Sequence, residues 1–492
     1  MSTARFLSLA PLQIAQALIG FGAIAVFTRL MTAEEFGRYA LALSISMAAH
    51  TLLFTWAEAA AFRFFAAARA EKKLADHFAT LLALAVVLGG AVMIATGAVL
   101  SLAGLRDDHA ALALFAVGAA IFRFISRLGR ESDRAALAFG RYAILETAYL
   151  LVGFAAGVAL LMLFDFGPAA PFAGLLAAGV LITLIDAPRL IAQARGGAPS
   201  AARAASYGGY GAPLALALAV DLGVQAVART ILAAEAGVAE IGAYAAAFGL
   251  ARGLDVMFIG VSAAFAPLVF AAYEENGPAA ARHAARDGFV LLAAVTLPAM
   301  VGLVLVAGPL TSLMVGHDLR AATSNAAPWL ALAALMTGFS LYYWSEAFQL
   351  TRRTGVRALL MLAPGAAQLA LTAWLAPQFG ATGAAVAAAA GASVGALLLA
   401  LAGRRLLALP FPLAALSRIF GAVALMAIVV LLVRSPPTPI GLMQAVLTGA
   451  ATYGVGAVLF DVLGARALLL AAADRWRRRL SVQPASSVLN AE

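Results

Sequence analysis

Asp221, Arg252 and Asp255 stand inside long apolar runs, far from the charged or glycine-rich connectors that bound those runs. If the runs are helices, Asp221 lies about 20 Å from one end of its helix. Arg252 and Asp255 lie about 16 to 21 Å from the opposite end of theirs, so all three fall near the middle of a bilayer. A charge in hydrocarbon costs about 2.5 to 3.5 kcal/mol on insertion scales, so such groups pair with one another or line a wet cavity. Arg252 has the planar fork that grips phosphate oxygens two at a time and is the expected contact for an anionic substrate. Asp221 or Asp255 could take a proton or a sodium ion when the arginine is occupied, which makes them the expected ion-coupling residues. A structural alternative stands beside each: Arg252 and Asp255 are spaced i and i+3 and could neutralise each other, and Asp221 could be a buried, protonated acid. Gln13, Gln16 and Gln225 are polar groups suited to substrate contact, as are the aromatic Tyr342, Tyr343 and Trp344; helix-to-helix hydrogen bonding and interfacial anchoring are their structural alternatives.

Two further sets lie nearer the helix ends. Glu58, Arg63, Arg123, Glu146 and Glu346 are expected near the inner ends, where opposite charges from two halves of the chain could close an inner gate. Arg29, Arg38 and Arg229 are expected near the outer ends, as an outer gate or as headgroup contacts.

Hydrophobic residues make up 64% of the 492 and charged ones 12%, against roughly 45 to 50% and about 25% in a soluble domain. The chain is therefore expected to be an integral membrane protein. It has no cysteine, and its five histidines lack ligand spacing, so no metal or cofactor is expected. The net charge of +9 could suggest nucleic acid, but the basic residues gather in short connectors, where a bilayer accounts for them. No phosphate-binding Gly-Lys-Ser/Thr loop is present: the only lysines, Lys72 and Lys73, are not preceded by glycine. Nor does a carboxylate pair sit on a large loop, so an enzyme is not expected.

Cutting at the connectors leaves about fourteen apolar segments able to span the roughly 30 Å of hydrocarbon. They fall near 8 to 30, 37 to 60, 78 to 103, 110 to 129, 142 to 164, 171 to 191, 207 to 231, 241 to 272, 288 to 315, 326 to 350, 357 to 376, 381 to 403, 417 to 433 and 441 to 463. The first has no small-residue cleavage site after it and is expected to be retained. Even-numbered connectors and the termini hold the basic clusters, among them Arg69, Lys72 and Lys73, then Arg127, Arg130, Arg134 and Arg141, then Arg352, Arg353 and Arg357. Odd-numbered connectors hold only Arg29, Arg38, Arg106, Arg229, Arg320 and Arg434. The positive-inside rule then puts both termini in the cytoplasm. The end of the chain, 465 to 480, reads as a basic amphipathic helix on the inner leaflet.

The hinge Glu35-Phe36-Gly37-Arg38-Tyr39-Ala40 returns as Glu240-Ile241-Gly242-Ala243-Tyr244-Ala245, with weaker copies at Phe379-Gly380-Ala381 and Phe166-Gly167. Internal repeats in an apolar chain point to a transporter built from related halves. The expected division is an N-lobe of six helices over 1–206, a C-lobe of six over 207–416, a helix pair over 417–463 and a cytoplasmic tail over 464–492. Pro11 and Pro213 occupy equivalent places in the halves, and Tyr207-Gly208-Gly209-Tyr210-Gly211-Ala212-Pro213 predicts an irregular seventh helix.

These motifs resemble the polysaccharide-type lipid-linked oligosaccharide flippases of the multidrug/oligosaccharidyl-lipid/polysaccharide exporter superfamily. Phe27-Thr28-Arg29-Leu30-Met31-Thr32-Ala33-Glu34-Glu35-Phe36-Gly37 resembles the family's first hinge, and Ala61-Phe62-Arg63-Phe64 its arginine on the second helix. Tyr210-Gly211-Ala212-Pro213-Leu214, Arg229-Thr230-Ile231-Leu232, Ala264-Phe265-Ala266-Pro267 and Pro377-Gln378-Phe379-Gly380 continue the likeness through the second half. Where the family often has an acid before the arginine matched by Arg229, this chain has Ala228. The resemblance implies two six-helix lobes and movement of a polyprenyl-pyrophosphate-linked oligosaccharide across a bacterial inner membrane, alongside glycosyltransferases and a polysaccharide polymerase. A multidrug cation exporter of the same superfamily, and a membrane enzyme or scaffold of envelope polysaccharide assembly, are the alternatives.

Overall fold

The computed structural model describes residues 10–104, 107–433, 435–467, 469–471 and 474. Every regular element among them is helical. The side chains of Arg106 and Arg434 and most of the expected amphipathic tail, including Leu468 and Trp476, lie outside the described residues.

In chain order the helices are α1 (Ala10–Leu30), α2 (Ala33–Leu53), α3 (Thr55–Arg63), α4 (Phe65–Ala70), α5 (Leu74–Ala103), α6 (Asp107–Ala135), α7 (Phe139–Phe164), α8 (Ala170–Ala194) and α9 (Ala201–Ala236). They continue with α10 (Val238–Ala251), α11 (Gly253–Leu305), α12 (Ala307–Met314), α13 (Arg320–Phe339), α14 (Glu346–Leu350), α15 (Thr354–Leu360), α16 (Leu362–Arg404), α17 (Leu413–Val433) and α18 (Pro439–Leu459). Among the described residues, ten helical stretches are long and apolar enough to cross a membrane, or eleven when α2 and α3, bent by 49° at Phe54, count as one span. The runs expected at 241 to 272 and 288 to 315 are separated by non-helical backbone at Gly277, within α11. Those at 357 to 376 and 381 to 403 are separated in the same way at Gly380, within α16. A proline follows the first break, at Pro278, and precedes the second, at Pro377, and removes a backbone donor there.

The chain gathers into two compact units, one of 1–250, 314–329 and 362–391, the other of 251–313, 330–361 and 392–492. In the first, α7 and α8 approach backbone to backbone: a Cβ on Gly174 would overlap Gly153 and Gly157, so small residues set the spacing. Phe54, at the bend between α2 and α3, stacks on Phe124 of α6 with ring centroids 4.6 Å apart. Helix α9 lies along α2 and α3, where Gly211 meets the backbone of Trp56. Contrary to the irregular helix expected here, α9 runs unbroken through Tyr207–Pro213. The carbonyl that the Pro213 ring would crowd belongs to Gly209, whose face is open, so the carbonyl can tilt away. The segment before α9 is strapped to α5: Asp76 accepts the Ala198 N–H (3.0 Å) and Thr80 Oγ1 the Ser200 N–H (3.2 Å).

The second unit has an aromatic core. Phe289 packs on Phe339, Tyr343, Trp344 and Phe411, and Phe258 stacks on Tyr342. After α13 one turn widens into a π-helix over Ser340–Trp344, and this turns Tyr343 inward to donate to the Pro410 carbonyl (2.5 Å). Tyr343 and Trp344, expected as candidates for substrate contact, are thereby part of this packing. In α17 and α18, Gly456 seats against Ala422.

Candidate functional site

The repeated hinge is a place where the two sequence halves meet, inside the first unit. Thr32 caps α2: its Oγ1 accepts the Glu35 N–H (3.2 Å) while the Glu35 carboxylate accepts the Thr32 N–H (2.9 Å), a reciprocal capping box. That box fixes the start of α2, in which Gly37 is buried. A Cβ on Gly37 would overlap the carbonyl of Val238, the first residue of α10, so glycine is what lets the two hinge copies touch. The contact is mutual, since a Cβ on Gly242 would lie 3.0 Å from the Ala33 carbonyl.

The seam extends to the segment before α13. Gly316 N–H donates to Thr28 Oγ1 (2.9 Å), and a Cβ on Gly316 would overlap the Thr28 carbonyl. Arg29 reaches the Met314 carbonyl at 3.3 Å, and Thr323 Oγ1 donates to the Ala243 carbonyl at 3.4 Å. The weaker copies belong to the same seam. Glu240 accepts the Ala381 N–H at 2.6 Å, beside Gly380 with φ of 53°. Glu35 stands 3.5 Å from where a Cβ on Gly167 would be, a residue with φ of 55°. Each full copy of the hinge thus sets its glutamate against the left-handed glycine of a later, weaker copy.

The three arginines expected at outer ends lie on or near this seam. Arg29 joins it directly; Arg38 is paired along its own helix with Glu34 at 2.5 Å. Arg229 is buried and stacks over Tyr244 (5.6 Å) and Phe248 (5.1 Å). Tyr244, from the second hinge copy, is therefore a cation–π partner.

The five residues expected at inner ends do not pair among themselves in any described ion pair. Glu58, at the start of α3, is held by His50 (2.9 Å) and Arg127 (3.5 Å). Glu146 on α7 is held by Arg130 at 2.6 Å, whose guanidinium also lies 4.9 Å from the Tyr149 ring. Arg63 is exposed beside Tyr210 (5.9 Å), and Arg123 lies over Tyr149 (5.9 Å). Glu346, in the second unit, is buried with neither carboxylate oxygen hydrogen-bonded among the described residues.

At the expected midplane, Arg252 sits at the break between α10 and α11 and is 61% exposed, with Asp255 3.6 Å away. Asp221 is exposed on α9 and accepts from Gln225 at 3.2 Å. Gln13 and Gln16 are exposed on α1.

Sequence reasoning missed the partners. Arg127, Arg130 and Arg134 counted there as connector charges, yet they lie in the last turns of α6, and Arg130 is 1% exposed. Asp133, Asp186, Arg141 and Arg189 form a second network tying α6, α7 and α8 together, with Arg189 2.6 Å from Asp133 and 2.7 Å from Asp186. The i, i+3 spacing of Asp186 and Arg189 was the readable signal for it.

A family model described as polysaccharide biosynthesis protein matches residues 26–323, more than half of the chain. No curated protein sequence matches significantly. Among solved structures, the fold is similar to the lipid II flippase MurJ in an inward closed conformation, with a TM-score of 0.73 at 15% identity over 91% of this chain and 98% of that one. It is also similar to an inward-facing multidrug resistance MATE family transporter of the MOP superfamily, with a TM-score of 0.63 at 17% identity over 80% of this chain and 94% of the other. The outward-facing form of such a transporter gives a TM-score of 0.57 at 17% identity, over 81% and 93%.

Proposed function

Because the chain belongs to the polysaccharide biosynthesis protein family, we propose that it is a flippase that carries a polyprenyl-pyrophosphate-linked oligosaccharide across the bacterial inner membrane by alternating access, both termini being cytoplasmic. The observation that carries this reading is the hinge seam. Four copies of one motif, from both sequence halves, meet at one end of the helices through glycines that admit backbone contact. Such a seam is held by hydrogen bonds and close backbone packing, contacts that can part and re-form as a gate requires. With the positive-inside rule it is the outer gate, in its closed state, and the moving bodies are the N-lobe of 1–206 and the C-lobe of 207–416. Arg252, exposed at a helix break, is the contact for the pyrophosphate.

The test is a deletion strain in which lipid-linked oligosaccharide is assayed on each leaflet. Accumulation of the unit on the inner leaflet with loss of surface polysaccharide is expected. Unchanged surface polysaccharide without such accumulation sinks the reading, and drug sensitivity instead would point to a cation exporter.

A further inference from the structure

We propose that His50 and Glu58 form the proton-binding site that couples transport to a proton gradient. The proposal rests on the transport function above and assigns to it a site that the expected coupling residues, Asp221 and Asp255, do not occupy. His50 lies in the last turn of α2 and Glu58 in the first turn of α3, on either side of the 49° bend. Residues eight apart in a straight helix are separated by about 12 Å along its axis. Here Nε2 of His50 is 2.9 Å from Oε1 of Glu58, so the pair spans the bend and its contact depends on the bend's geometry.

The pair is buried, with Glu58 at 3%, and His50 Nδ1 has no hydrogen-bond partner among the described residues, so the ring has a free position for a second proton. From α6, Arg127 contacts Glu58 at 3.5 Å, and Arg123 is within electrostatic reach of the same carboxylate. Arg127 is shared with Glu131 (3.2 Å), and Glu131 with the more exposed Arg134 (2.7 Å), so alternating charges lead from the surface of the unit to the pair. Helix α9 also packs on α2 and α3 and brings Tyr207 and Tyr210 to Phe64, past the far end of α3 from His50. Proton uptake converts the imidazole to imidazolium facing the Glu58 carboxylate; release restores the neutral ring, and no bond to substrate is made or broken.

Trp56 supplies the readout, since its indole N–H donates to the Leu53 carbonyl (2.9 Å) within the bend. The full chain in liposomes is titrated across the pH range in which it stays folded. Subtracting the fluorescence of Trp56→Phe isolates the Trp56 signal. A step attributable to one proton is expected, and it vanishes in His50→Gln and in Glu58→Gln. In the same liposomes, movement of a polyprenyl-pyrophosphate oligosaccharide driven by a pH gradient falls at least tenfold in both variants, and its dependence on pH flattens. A fluorescence step unchanged in His50→Gln, or undiminished gradient-driven movement in both variants, overturns the assignment. If the unsubstituted protein moves no lipid-linked oligosaccharide, the transport reading fails, while the fluorescence step still decides the proton site.

Discussion

Glu240 and Ala381 are separated by 141 residues of chain and joined by one hydrogen bond of 2.6 Å, from the amide of one hinge to the carboxylate of another. A charge-assisted bond to a backbone amide beside a left-handed glycine fixes a turn as well as a distance. Its counterpart, Glu35 near Gly167, closes a capping box instead of reaching the later hinge's amide. The two repeats therefore share a plan and differ in which backbone group the acid takes.

Replacing Glu240 by alanine is expected to loosen the seam by about 1.5 to 3 kcal/mol, the range for a hydrogen bond to a charged group. The chain has no native cysteine, so a single cysteine at the buried Ala243 reports directly. Its labelling by a membrane-impermeant maleimide should be at least tenfold faster in Glu240→Ala, and equal rates would remove Glu240 from the latch.

Gly37→Ala and Gly316→Ala each place a methyl group where a carbonyl now stands, against Val238 and Thr28 respectively. Both variants should insert and accumulate normally, because their helices gain propensity or lie outside the change. Neither should restore surface polysaccharide to a deletion strain. Full restoration would show that the seam need not close.

Arg130 is buried with Glu146 as its carboxylate partner. Glu146→Ala strands a buried guanidinium and should cost about 3 to 5 kcal/mol, whereas the double change Arg130→Met with Glu146→Leu should be close to neutral. Thermal unfolding in detergent compares the three; a stable Glu146→Ala protein would mean that Arg130 finds another anion.

Arg252 pairs with Asp255 at the surface of its unit, so Arg252→Ala should change stability by less than about 0.5 kcal/mol. Export should nevertheless fall at least tenfold, with Arg252→Lys in between because an ammonium cannot bind two phosphate oxygens as a fork. Normal expression with undiminished export would exclude Arg252 from the substrate path.

The helices were legible because apolar runs bounded by charge or glycine have few other solutions in a membrane. The hinges were legible as repeats, though their meeting was not: nothing in Gly37 or Gly316 alone names the carbonyl it approaches. The bend at Phe54 falls inside a run that reads as one straight helix, and this hid the contact of His50 with Glu58. Glycines near Pro213 suggested irregularity, yet α9 stays helical because packing against α2 and α3 outweighs weak local propensity. The π-turn at Ser340–Trp344 has no signature in residue type; only the inward bond of Tyr343 reveals its effect.

The pairing of hinges has a consequence for how such a chain can be lengthened. A residue inserted beside Gly380 would shift the amide that Glu240 holds, and one inserted beside Gly167 would disturb the glutamate that closes the capping box of α2. Loops that look independent in the sequence are thus bound in pairs. Epitope tags and natural insertions should be tolerated at the exposed turn around Lys72 and rejected at these hinges, although both are short connectors of ordinary composition.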